Sequence, residues 1–114
     1  MTEFSIQIHP HRSPQLDLAN LLSQFERLST ERGWIRQKSV ERGFDEHAYV
    51  NVTFETDYPK LFWQLLYERF YRESAFGQFL RAASIATCEG RFGWDDYLLL
   101  HHFDTGVSCE RFPE

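Results

Sequence analysis

His47-Ala48-Tyr49-Val50-Asn51-Val52-Thr53-Phe54 alternates without interruption. Ala48, Val50, Val52 and Phe54 point one way; His47, Tyr49, Asn51 and Thr53 point the other. A period of two marks a strand with one buried face. Upstream, Trp34 to Val40 reads as a weaker strand, because Arg36 and Lys38 share one face. The segment Arg42-Gly43-Phe44-Asp45-Glu46 between them has turn composition. So short a connection predicts an antiparallel hairpin.

Working outward, Phe4, Ile6 and Ile8 alternate with Ser5, Gln7 and His9, which predicts a first strand that two prolines, Pro10 and Pro14, bring to an end. Leu16, Leu18, Ala19, Leu21, Leu22, Phe25 and Leu28 then recur at three- and four-residue steps, the apolar stripe of a helix. Ser13-Pro14 is its expected start and Gly33 its expected stop. A second helix is expected from Pro59 to about Glu73, after Thr56-Asp57-Tyr58. It carries one row of Phe62, Leu66 and Phe70, and a second, wholly aromatic row of Trp63, Tyr67 and Tyr71. Ser74 caps a short helix over Ala75–Ala83 that Gly77 weakens. Strands are then expected at Ser84–Glu89 and within Trp94–Phe103, joined by a Gly90-Arg91-Phe92-Gly93 turn. Asp104 to Glu114 has no period.

The order β-α-β-β-α-β-β predicts an α+β two-layer sandwich. Its sheet is mainly antiparallel, with two main helices on one face. The ferredoxin-like split β-α-β arrangement, extended by a C-terminal strand, is the specific expectation. Residues 1–114 are expected to form a single domain.

Composition excludes several classes. Hydrophobic residues make up 42% and aromatics 17%, which argues against disorder. Apolar runs are broken by Glu68, Arg69 and Arg72 well short of the roughly 18 residues of a membrane span. Met1-Thr2-Glu3-Phe4 has no basic stretch leading into an apolar one, so a cytoplasmic location is expected. Cys88 and Cys109, with no CxxC pair, are then expected to be reduced thiols. The net charge is −5, spread over both halves, and the basic residues are ten Arg against two Lys. No basic stripe exists, so nucleic acid is not an expected partner.

Chemistry is sparse. The five histidines include His9-x-His11 and the adjacent pair His101-His102, but no ligand spacing supports a metal. No phosphate cradle, nucleophile elbow or dinucleotide fingerprint occurs, so no catalytic residue and no cofactor are expected. Three features remain. They are the row Trp63, Tyr67 and Tyr71, the polar sheet face Tyr49, Asn51 and Thr53, and the cluster Glu89, Trp94, Asp95, Asp96 and Tyr97. Nineteen aromatic rings are many for one small core, so some should reach the surface. Aromatics interleaved with carboxylates suit capture of a basic protein: rings anchor and acids steer.

The expectation is an acidic module that neutralises a protein partner by covering it, as immunity proteins do to bacterial toxins. It needs no membrane and no nucleic acid. The alternatives are a small ferredoxin-like enzyme or ligand-binding domain with an apolar pocket, partly lined by His101, His102, Tyr49 and Trp63, and a homodimeric assembly subunit.

Overall fold

In the computed structural model, which describes residues 1–72 and 74–112, the alternating stretch at 47–54 lies within a strand that spans His47–Thr56. Five strands, β1 (Thr2–Ile8), β2 (Ile35–Asp45), β3 (His47–Thr56), β4 (Ser84–Gly90) and β5 (Gly93–His101), form one sheet. Its order is β2-β3-β1-β4-β5, and every pairing is antiparallel. Three helices, α1 (Leu18–Glu31), α2 (Pro59–Leu66) and α3 (Ala75–Arg81), complete an α+β fold. Among the described residues no helix is long and apolar enough to cross a membrane.

Register sets the core. Phe4 lies opposite both Phe54 and Cys88, Ile6 opposite Val52 and Ala86, and Ile8 opposite Val50 and Ser84. All nine are buried and share one face, because alternate residues of a strand face alike. Leu21, Phe25 and Leu28 of α1, Phe62 and Leu66 of α2, and Leu80 of α3 join them in one cluster. Ala48, expected on this face, is exposed beyond the helices' reach.

Local expectations needed correction at four places. Helix α1 starts at Leu18, capped by Asp17, whose carboxylate accepts from the Asn20 N–H at 3.0 Å. Ser13 does not cap it; a 3-10 turn over Pro10–Arg12 leaves Ser13 buried, its N–H on the Pro10 carbonyl. Leu16 before the cap and Leu21 after it are both buried, in the positions of a hydrophobic staple. Gly33 is not the helix stop, since the chain already leaves α1 in an extended conformation at Arg32. The turn expected over Arg42–Glu46 shrinks to Glu46 alone, at φ 62°, between the paired Asp45 and His47. The poor alternation of β2 has a cause, a register shift between Gln37 and Ser39 that leaves Lys38 unpaired.

The expected long second helix is also interrupted. After Leu66 the chain makes one π turn over Tyr67–Tyr71, and Arg72 is extended. The expected end at Glu73 lies outside the described residues. Helix α3, capped by the Ser74 hydroxyl as expected, comes directly after and ends at Arg81 rather than Ala83. Gly77 permits that closeness, because a Cβ there would collide with the Arg72 carbonyl oxygen. Gly77→Ala is therefore expected to destabilise the fold by about 1–3 kcal/mol, the range for overpacking. Urea unfolding of the two proteins checks this; equal midpoints would contradict the contact.

Candidate functional site

The β4–β5 hairpin gathers most of the exposed aromatic and acidic side chains expected of a docking surface. Gly90 pairs with Gly93, so Arg91 and Phe92 form a two-residue loop. Gly93 takes φ 86°, a conformation that favours glycine. Strand β5 lies at the sheet edge, with β4 as its one partner strand. Phe92 is 76% exposed, Tyr97 53% and Trp94 38%. Asp95 and Asp96 are exposed, and among the described residues neither pairs with a cation.

One residue unmarked by any motif holds this hairpin in place. Glu3 on β1 accepts the Trp94 indole N–H at 2.9 Å through one carboxylate oxygen and the Lys38 ammonium through the other. Those two donors hold the Glu3 carboxyl below the usual carboxylate range. Glu89 contributes from the other side: its carboxylate accepts the Glu3 backbone N–H at 2.6 Å. Glu89 is thus half-buried and structural as well as acidic. Trp94 is anchored at its nitrogen while more than a third of its surface stays open.

The aromatic row on the second helix divides into three environments. Tyr71 has no accessible surface, and its hydroxyl bonds the Ser84 hydroxyl at 2.8 Å. Ser84 in turn donates to the Leu80 carbonyl at 2.7 Å, so Tyr71 supplies the proton in the first bond. Tyr71 is a core residue and cannot touch a partner, which corrects its expected role. Phe70 and Tyr71 are both buried at the end of the π turn, where wider winding replaces the α-helical row. Arg81 donates to the Tyr71 carbonyl at 2.9 Å, satisfying a group the turn leaves free. Trp63 is half-buried and stacks on Phe4 at 5.9 Å. Tyr67 alone is open, at 47%.

The chain's own tail separates this row from the hairpin. The Glu110 N–H donates to the Leu99 carbonyl at 2.7 Å, and the Leu99 N–H donates to the Glu110 carboxylate at 2.9 Å. Phe112 packs on the core and lines two grooves, one with Trp63, the other with Asp96 and Leu98. The two expected patches therefore do not form one surface.

On the sheet face opposite the helices, Tyr49, Asn51 and Thr53 are half-buried, and Ser5 donates to the Asn51 side chain at 2.6 Å. Cys88 and Cys109 are free thiols, and burial pushes Cys88 up to about 12. Among the described residues no three His, Cys, Asp or Glu side chains converge as a metal-ligand set. His101 donates to the Arg81 carbonyl at 2.9 Å and tilts against Tyr71. A groove of about 300 Å³ that includes His101, His102 and Phe103 is open to solvent and contains neither Tyr49 nor Trp63. Compared with known proteins, the chain matches no family model, no curated sequence and no solved structure.

These environments set the expected cost of each substitution. Tyr71→Phe removes the proton given to Ser84 and is expected to cost about 1 kcal/mol. Half-buried Trp63→Ala should cost about 2 kcal/mol, less than the ~3–5 kcal/mol of full burial, and Tyr67→Ala under about 0.5 kcal/mol. Chemical unfolding ranks the three; a large loss for Tyr67→Ala would reverse the assignment. Separately, burial holds His101 below its ordinary value, partly offset by its bond to the Arg81 carbonyl. The folded state then takes up this proton less readily than the unfolded chain, so stability is complete above about pH 6.5 and shrinks as pH falls below it. The thermal midpoint should drop between pH 7 and pH 5, and His101→Gln should flatten that drop.

Proposed function

We propose that this chain is an acidic protein-binding module that neutralises a basic partner protein by steric occlusion, as immunity proteins do to bacterial toxins. The observation that carries the reading is the β4–β5 hairpin. Trp94 and Tyr97 offer partly exposed rings on a two-residue-looped edge hairpin, and Asp95 and Asp96 stand beside them without cationic partners among the described residues. Anchored rings lose little conformational entropy on docking. Unpaired carboxylates speed encounter with a positive surface and are not first required to break an internal ion pair. The contact set we assign is Trp94, Asp95, Asp96 and Tyr97, with Phe92 at the tip. Glu89 supports it through its bond to the Glu3 N–H.

We also infer that strands β1 to β4 form a two-layer, ferredoxin-like core to which β5 is an added edge. Their antiparallel order supports this, and β5 with the Arg91–Phe92 loop then forms the margin of that core.

Affinity capture from the source organism's lysate tests the function, with the unmodified chain beside an Asp95→Ala/Tyr97→Ala double variant of unchanged thermal midpoint. A basic protein retained by the first and lost by the second is the expected result. No retained basic protein, or equal retention by both, would overturn it.

A further inference from the structure

The other end of the sheet has the opposite character. Strand β1 leaves the sheet at Ile8, β3 enters it at His47 and β5 leaves it at His101. Antiparallel pairing therefore brings His9, His11, Arg12, His47 and His102 to one end, a full strand length from the Phe92 loop. The rings of His11 and His47 stack at 3.9 Å with planes 17° apart. His9 meets His11 edge-on at 6.1 Å and Phe103 at 5.2 Å. The Arg12 guanidinium sits 3.7 Å over the Phe103 ring, and His102 packs on the same ring at 4.6 Å.

We propose that this corner is an oxyanion site, in which Arg12, His11 and His47 bind a phosphate-type dianion. Three features carry it. Stacking on Phe103 holds the Arg12 plane while leaving its N–H fork free at the edge. Among the described residues Arg12 has no carboxylate partner. Face-to-face stacking of His11 and His47 holds two imidazoles together with their ring edges open, where N–H groups of both can donate to one anion. The same stacking keeps the rings from converging on a metal, in keeping with the absence of a ligand set among the described residues.

Proton uptake is part of the binding. Burial, then His11, Arg12 and His102, holds His9 below its ordinary value; partial desolvation of its exposed ring, then His47 and Arg12, does so for His11. The charges acting on these two rings are all cationic. Asp45 lies directly across the hairpin from His47, Glu46 makes the turn, and the Asp104 side chain accepts from the Gly106 N–H at 2.9 Å. Among the described residues none of the three forms an ion pair with these rings or with Arg12. The Asp104 N–H donates to His102 Nδ1 at 3.0 Å, and His9 Nε2 lies 2.8 Å from the Gln7 side-chain oxygen. A dianion supplies the missing counter-charge, so it and the protons bind together.

Histidine-ring NMR of the full chain, titrated with inorganic phosphate at constant ionic strength, tests this. The expected result is saturable shifts at His9, His11 and His47, with affinity, expressed per phosphate dianion, at least about tenfold weaker at pH 8 than at pH 6. Arg12→Gln and His11→Gln, both at exposed positions, should each weaken binding about tenfold at an unchanged thermal midpoint. O-phosphoserine, run in parallel, separates a phosphate monoester from the free ion as the preferred form. Shifts that never saturate, that chloride reproduces, or that Arg12→Gln leaves intact mean an adventitious ion only, and overturn the proposal.

Discussion

Phe62 stands edge-on to Phe4 at 5.1 Å and to Phe54 at 5.0 Å, the two rings that face each other across β1 and β3. Phe25 extends the cluster from α1, 5.6 Å from Phe54 and 5.0 Å from Phe70. Edge-to-face pairs contribute about 0.5–1.5 kcal/mol each beyond the area they bury. They also demand a particular geometry, which couples the register of the central strands to the placement of the helices. A one-residue slip of β1 would move Phe4 to the far face and leave Phe62 with Phe54 alone. Because the large rings are consumed on one side, the far side of the sheet is left to polar side chains.

That polar side does the aligning. Glu3 joins Lys38 from the irregular part of β2 to Trp94 at the start of β5, across a sheet in which neither strand touches β1. An edge hairpin has one neighbour to hold it, and side-chain bonds to a central strand supply the second constraint. The result is a rigid presentation of Trp94 beside Asp95 and Asp96. Antiparallel topology separates these carboxylates from the histidines by the length of the strands. A chain of net charge −5 thereby carries an acidic hairpin at one end of its sheet and its histidine cluster at the other.

Sequence patterning was legible wherever one face of an element decided its fate. The alternation at 47–54, the stripe through Leu21, Phe25 and Leu28, the Ser74 cap and the Gly90–Gly93 turn all arise from local periods and dihedral needs. The exposure of the hairpin's rings was legible for the same reason, since a two-residue turn at an edge exposes whatever flanks it. Patterning failed where a distant group intervened. Lys38 breaks the alternation of β2 and reaches Glu3, thirty-five positions away. Ser13 is drawn inward by the 3-10 turn, so the helix cap passes to Asp17.

The amino-acid sequence by itself determined the element types, the buried face of the central strands and the acidic, aromatic character of the β4–β5 hairpin, because these depend on neighbours within one turn or one strand. Tertiary structure alone decided the fates of Trp63, Tyr67 and Tyr71. Their four-residue spacing is that of one helical row, yet one became core, one lies against the tail and one faces solvent. The row ends in a π turn that buries Tyr71, with Arg81 on its carbonyl. Tertiary structure alone also gathered His9, His11, His47 and His102, since strand pairing sets such proximity and spacing along the chain does not record it.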